Sequence, residues 1–252
     1  IEYIRIDFKN YDEKFPKEWE EFTKGKKIKG AFHGLIHSSL LSTIIVKGET
    51  AKEQIKFAFN EGKKIKTGIQ FHFEIGSNYF LEIAKLKAFR ILWENKTGNK
   101  PFIFATTSLA NKEEKFAYNN IIRTTTECMS AIFGGADAIM TNSYNHKFED
   151  PTEFSERIAR NQLQILKQES HLGKVIDPSK GSYYINYLIH ELLKYFDLKQ
   201  TKKIQNTTDY SWISAEGIKI KNHYKKEDVS NIEHLNFIAG LAPNLRGPYS
   251  SM

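Results

Sequence analysis

The chain has 252 residues, 40% hydrophobic and 27% charged, the balance of an ordinary globular protein. No stretch approaches the ~20 uninterrupted apolar residues of a membrane helix, and residues 1–9 lack the basic, apolar, small-residue order of a signal peptide. The formal net charge of +7 comes from lysines spread along the chain. Its densest run, Lys24, Lys26, Lys27 and Lys29, sits in a glycine-flanked stretch with no nucleic-acid-binding motif beside it, and the one cysteine, Cys128, excludes an internal disulfide and fits a reducing, cytoplasmic setting.

Residues 40 to 200 alternate short apolar runs with longer amphipathic ones. Leu40 to Val46 has strand length, and Thr50 to Lys64 reads as a helix with Ile55, Phe57, Ala58 and Phe59 among its apolar positions. Gly68 to Ile75 is strand-like, with Phe71, Phe73 and Ile75 on one side of a period of two and His72 and Glu74 on the other. Ser77 or Asn78 can cap the next helix by accepting free N–H groups of its first turn. That helix runs to about Glu94 on an apolar face of Phe80, Ile83, Ala84, Ala88, Ile91 and Leu92, with Lys85 and Lys87 off it.

Pro101 to Thr107 is the next strand. Tyr118 to Phe133 is a helix ended by Gly134-Gly135, where glycine accepts a left-handed cap. Ala136 to Thr141 reads as a short buried strand. Asp150-Pro151-Thr152 starts a helix with proline at or near its first turn, and its face carries Phe154, Ile158, Leu163, Ile165 and Leu166. After Asp177-Pro178 and Gly181-Ser182 comes a helix from Tyr184 to Phe196.

Strands each followed by a 12- to 18-residue helix imply parallel strands joined by right-handed crossovers. A doubly wound sheet and a β/α barrel both satisfy this pattern. About four strand–helix units are legible, fewer than an eight-fold barrel of ~250 residues requires. Residues 201–211 are polar and read as a linker. Residues 212–252 read as an arm ending in the rigid, extended Pro243-Asn244-Leu245-Arg246-Gly247-Pro248-Tyr249.

Six segments in order resemble the methylmalonyl-CoA mutase family: Gly76-Ser77-Asn78-Tyr79-Phe80-Leu81-Glu82-Ile83-Ala84-Lys85, Tyr118-Asn119-Asn120-Ile121-Ile122-Arg123-Thr124-Thr125, Gly134-Gly135-Ala136-Asp137, Pro151-Thr152-Glu153-Phe154, Arg157-Ile158-Ala159-Arg160-Asn161, and Asp177-Pro178 with Gly181-Ser182-Tyr183-Tyr184. The resemblance covers roughly residues 45 to 198 and implies a (β/α)8 TIM-type barrel, partial or complete, over residues 1–200. Residues 232–252, with His234-Leu235 and Leu245 to Tyr249, resemble the N-terminal arm of the family's catalytic subunit. This pairing is expected if the end of one subunit is joined to the beginning of the other.

The family isomerises methylmalonyl-CoA and succinyl-CoA with adenosylcobalamin, whose homolysis supplies the radical. None of the eight histidines completes the family's Asp-x-His-x-x-Gly cobalt-ligand motif, so the cofactor is expected on a partner or a missing domain. The family's Tyr-His pair is replaced within Ser42-Thr43-Ile44-Ile45-Val46-Lys47-Gly48. In its His-Thr-Gln-Thr strand, Phe104 stands for histidine and Thr106 for glutamine, which leads us to expect an apolar, filled barrel. No catalytic residue is therefore assigned. Arg246, Tyr249, Ser251 and Met252 fall where the resemblance implies substrate-channel residues, and they are the candidate acyl-CoA contacts. A rigid segment packing on a partner accounts for them equally well.

The expected role is that of a non-catalytic supporting subunit or fragment, partnered by a catalytic mutase subunit in a heterodimer or by self-association. The alternative is a basic scaffold that has lost the chemistry. Other candidates read blandly. His33 and His37 have a helical metal-pair spacing but lie by a glycine and an apolar run, Ser170-His171 with Asp177 lacks a nucleophile elbow, and Cys128 reads as a buried structural thiol. Glu153, Glu156 and Arg157 read as helix-terminus and i, i+4 charges.

Overall fold

The alternation along residues 69–75 sets the architecture, because each side of that strand meets a different environment. The computed structural model describes residues 3–5, 29–33, 41–65, 68–196, 211–213, 219–221 and 226–230. Its strands are β1 (Tyr3–Arg5), β2 (Lys29–His33), β3 (Leu41–Ile45), β4 (Ile69–Ile75), β5 (Phe102–Thr107) and β6 (Ala138–Met140). All pair in parallel, in the order β1-β2-β3-β4-β5-β6. A doubly wound sheet reverses its strand order at a switch point; this one does not, as in a stretch of barrel wall.

Four helices follow β3 to β6 in turn: α1 (Ala51–Gly62), α2 (Tyr79–Thr97), α3 (Asn119–Phe133) and α4 (Glu153–Gln164). Local chemistry fixes their ends. In α1, Thr50 Oγ1 accepts from the Glu53 amide while Glu53 Oε2 accepts from the Thr50 and Glu49 amides, a reciprocal cap. Those backbone bonds hold the Glu53 carboxyl below its ordinary pKa. Asn78, the second of the two expected caps, opens α2, and Gly98 closes it at φ 73°. Thr152 and Ser155 cap α4 reciprocally, which puts Pro151 before the cap rather than in the first turn.

Phe71, Phe73 and Ile75 of β4 are buried against α2. The Phe71 ring lies edge-on to Phe89 at 4.7 Å and to Trp93 at 4.8 Å. A last helix, α5 (Tyr183–Lys194), packs along α2 and adds Leu192 and Leu193 to the same core. Arg90 of α2 clamps the strand ends by donating to Pro101 O, Gly135 O and Asp137 Oδ2, and Asp137 Oδ2 also accepts from the Ile103 amide.

Several expectations need correction. Strand β6 is shorter than expected and only half-buried, with Met140 exposed, because among the described residues it pairs on one side only. Phe154 and Ile165 face outward, and α4 instead buries Ser155, Ala159 and Gln162. Leu166 is buried and Ile158 and Leu163 partly so, as expected, and beside them Gln162 donates to Ile121 O, Thr124 Oγ1 and Thr125 Oγ1 of α3, a polar network the apolar pattern did not show. Lys85 is not off the face of α2 at all: it is 1% exposed.

The chain divides into two units, Ile1–Asn206 and Thr207–Met252. The second holds an antiparallel pair, β7 (Ser211–Ile213) with β8 (Lys219–Lys221), and a 3-10 turn at Lys226–Val229. A hairpin was not expected in a segment read as an extended arm. No helix among the described residues is long and apolar enough to cross a membrane.

Candidate functional site at the carboxyl ends of the strands

In parallel β/α folds, ligands meet the carboxyl ends of the strands. The sheet also has a face turned away from α2. Register places Thr43, Gln70, His72, Phe104 and Thr106 on that face. Gln70 Nε2 donates to Thr43 Oγ1 at 3.4 Å. The His72 Nε2 and Thr106 Oγ1 atoms share a hydrogen bond of 2.8 Å, and the imidazole lies edge-on to Phe104 at 5.0 Å. The face is mixed: Phe104 is 3% exposed, Ile45 and Phe102 share its side of the sheet, and the Gln70–Thr43 and His72–Thr106 pairs lie among them.

Glu74, exposed at the end of β4, is anchored by Ser108 Oγ at 2.5 Å and the Leu109 amide at 3.2 Å, both donating to Oε1. The loop that follows β5 is pinned from below. Lys112 Nζ lies 2.7 Å from Glu127 Oε1, with both side chains essentially fully buried, and Asn111 Nδ2 donates to the same oxygen at 2.6 Å. Burial pushes the Lys112 amine down and the Glu127 carboxyl up, and the contact between them opposes both shifts. Asn120 donates to Glu113 O and Tyr144 O, and Lys147 to Ala110 O and Lys112 O. The result is a rigid loop whose tip carries the exposed Phe116 and Tyr118.

The other candidates separate. Cys128 is fully buried, its Sγ is 3.0 Å from Thr141 Oγ1, and burial pushes its thiol up to about 11. It is not an activated nucleophile. The Asp177 carboxylate is taken by Lys87 and Ser179 Oγ, so it orients no histidine dyad. His33 ends β2, and His37 lies outside the described residues. Glu156 pairs with Arg160 at 3.7 Å, and Arg157 sits over the Phe154 ring. Arg246, Tyr249, Ser251 and Met252 lie outside the described residues. Among the described residues, no group of three or more His, Cys, Asp or Glu side chains is placed to hold a metal ion.

The family model described as methylmalonyl-CoA mutase matches residues 54–207. The chain belongs to the methylmalonyl-CoA mutase family. It is similar to the methylmalonyl-CoA mutase small subunit of Porphyromonas gingivalis, 45% identical over 140 residues, which are 52% of this chain and 23% of that one. It is also similar to the methylmalonyl-CoA mutase of Rhizobium meliloti, 39% identical over 153 residues, 56% of this chain and 22% of that one. The small subunit of Streptomyces virginiae is 36% identical over 153 residues, 57% of this chain and 25% of that one. The chain thus spans about a quarter or less of the curated relatives it matches.

The mutase match begins within α1 and runs through β4, β5, β6 and all the later helices of the first unit, so the rim just described lies largely inside it. Among the described residues the donor set does not fit a cobalamin ligand. The sequence has no histidine in the Asp-x-His-x-x-Gly setting, and His72 is held between Thr106 and Phe104. Sequence reasoning missed the Lys85 and Lys112–Glu127 contacts. A lysine amid apolar neighbours in α2 was the one available signal.

Proposed function

We propose that this chain acts as a non-catalytic, supporting barrel of a methylmalonyl-CoA mutase-type complex. Its partner in this reading is a catalytic subunit, which supplies adenosylcobalamin and isomerises methylmalonyl-CoA and succinyl-CoA. The observation that carries the reading is the state of β5. Where the family resemblance implies polar substrate contacts, Phe104 is buried against His72, and the Thr106 hydroxyl is engaged by the same imidazole. Reading an acyl group requires polar groups that become paired on binding; these are already paired within the sheet. Relatives named as small subunits support a place beside a larger partner. In this reading residues 1–200 form the barrel region, 201–211 the linker, and 212–252 the arm, whose Arg246, Tyr249, Ser251 and Met252 offer at most an acyl-CoA contact to the assembly.

Calorimetry with succinyl-CoA, on the full chain with and without a catalytic mutase subunit, tests this. The expected result is no binding by the chain alone and stable association with the catalytic subunit. Micromolar binding by the chain alone would overturn the reading. Failure to associate with the subunit would favour the basic scaffold instead.

A further inference from the structure

The ends of β3, β4, β5 and β6 are joined by polar contacts that run on through the covalent chain at Glu74 and at Thr107-Ser108. Gln54 of α1 donates from Nε2 to Gly48 O, in the loop after β3, at 3.0 Å. Its Oε1 accepts from Lys85 Nζ at 2.7 Å, and Lys85 Nζ also donates to Glu74 O, at the end of β4, at 3.0 Å. Glu82 Oε2 pairs with the same ammonium at 2.5 Å. The Glu74 side chain continues the series through Oε1 to Ser108 Oγ and the Leu109 amide, and Ser108 Oγ accepts from the Ala110 amide at 3.1 Å. One residue back, Thr107 accepts at Oγ1 from the Asn142 amide and at O from Asn142 Nδ2, which brings in the segment after β6.

Lys85 stands at the centre of this series and is 1% exposed. An ammonium removed from water must place its N–H groups on fixed acceptors. Here the hydrogen-bond acceptors are Gln54 of α1 and Glu74 of β4, and the ion-pair partner is Glu82 of α2. None can shift without leaving a buried charge poorly satisfied, which is what makes the contacts a coupling rather than a set of independent bonds.

We infer that Lys85 is a positioning residue that ties the loops after β3, β4 and β5 into one unit, so that the carboxyl ends of these strands loosen or hold together. The coupling is reciprocal: loosening either end loosens the other.

Hydrogen exchange read by mass spectrometry on the full chain tests this with Lys85→Met, Gln54→Leu and Ser108→Ala. Lys85→Met is expected to speed exchange in residues 46–50 and 108–112 together by about ten-fold, while residues 124–131 of α3 stay within about two-fold. Gln54→Leu, at a half-buried site that tolerates an apolar side chain, is expected to speed residues 108–112 as well as its own loop. Ser108→Ala is expected to speed residues 46–50. Effects confined to the loop nearest each substitution would overturn the inference. So would an equal acceleration of residues 124–131, which would show global destabilisation instead. If Lys85→Met does not fold, the reciprocal pair Gln54→Leu and Ser108→Ala decides alone.

Discussion

Lys112 and Glu127 meet 2.7 Å apart with their side chains 0% and 1% exposed, an ion pair that joins the loop after β5 to the middle of α3. Removing one partner strands the other charge in the interior, which costs far more than the pair contributes. Lys112→Met and Glu127→Leu are each expected to lower stability by about 3–5 kcal/mol, whereas the two together cost less than the sum. Urea unfolding of the four proteins closes the cycle. Additive losses would show that the two groups act independently.

Gly62, the last residue of α1, touches the aromatic cluster with its backbone. A Cβ built there falls 2.5 Å from Trp93 Cζ3 and 2.8 Å from Phe71 Cζ. Overpacking of this kind costs about 1–3 kcal/mol, more than alanine returns through helix propensity. Gly62→Ala is therefore expected to lower the melting temperature, and an unchanged or raised value would show that the two rings can move aside.

Phe71 fills the same cluster from the strand side, fully buried between Phe89 and Trp93. Truncation to alanine is expected to cost about 3–5 kcal/mol. Phe116→Ala, on the exposed loop tip, is expected to stay within about 0.5 kcal/mol. Chemical denaturation of both variants separates core from surface.

The Cys128 thiol titrates near 9.0 when unfolded and about 11 when folded. Because the folded pKa is raised, its contribution is fully present below pH ~9 and is lost as the pH climbs towards 11, where the unfolded chain sheds a proton that the folded chain keeps. That difference corresponds to roughly 2–3 kcal/mol. Cys128→Ala should lose stability less steeply than the parent between these two pH values. Parallel curves would place the thiol in contact with water.

The strand–helix rhythm from residue 41 to 164 is legible in the sequence because three of its four helices carry their own cap: Thr50, Asn78 and Thr152 start helices by local hydrogen bonding, and local chemistry is what a sequence displays. The choice of a barrel-like order over a doubly wound sheet came from the family motifs, since periodicity does not encode strand order. Lys85 was misread because a helical wheel assigns every lysine to solvent. Its burial depends on Gln54 and the Glu74 carbonyl, 31 and 11 residues away. Gln162 was passed over for the same reason: its three acceptors lie some 40 residues earlier, in α3. The polar pair of His72 and Thr106, on the same face as Ile45, Phe102 and Phe104, was hidden behind the expectation attached to Phe104.

The placement of α5 bears on how the chain reaches its native state during synthesis. Leu192 and Leu193 close the layer begun by Phe71, Phe89 and Leu92, so the apolar surface of β4 and α2 leaves the ribosome well before the helix that completes its cover. A nascent chain halted before Tyr183 would present that surface uncovered, a natural target for a chaperone or protease. Covering of an early strand and helix by a later helix makes emergence of α5 a condition for burial.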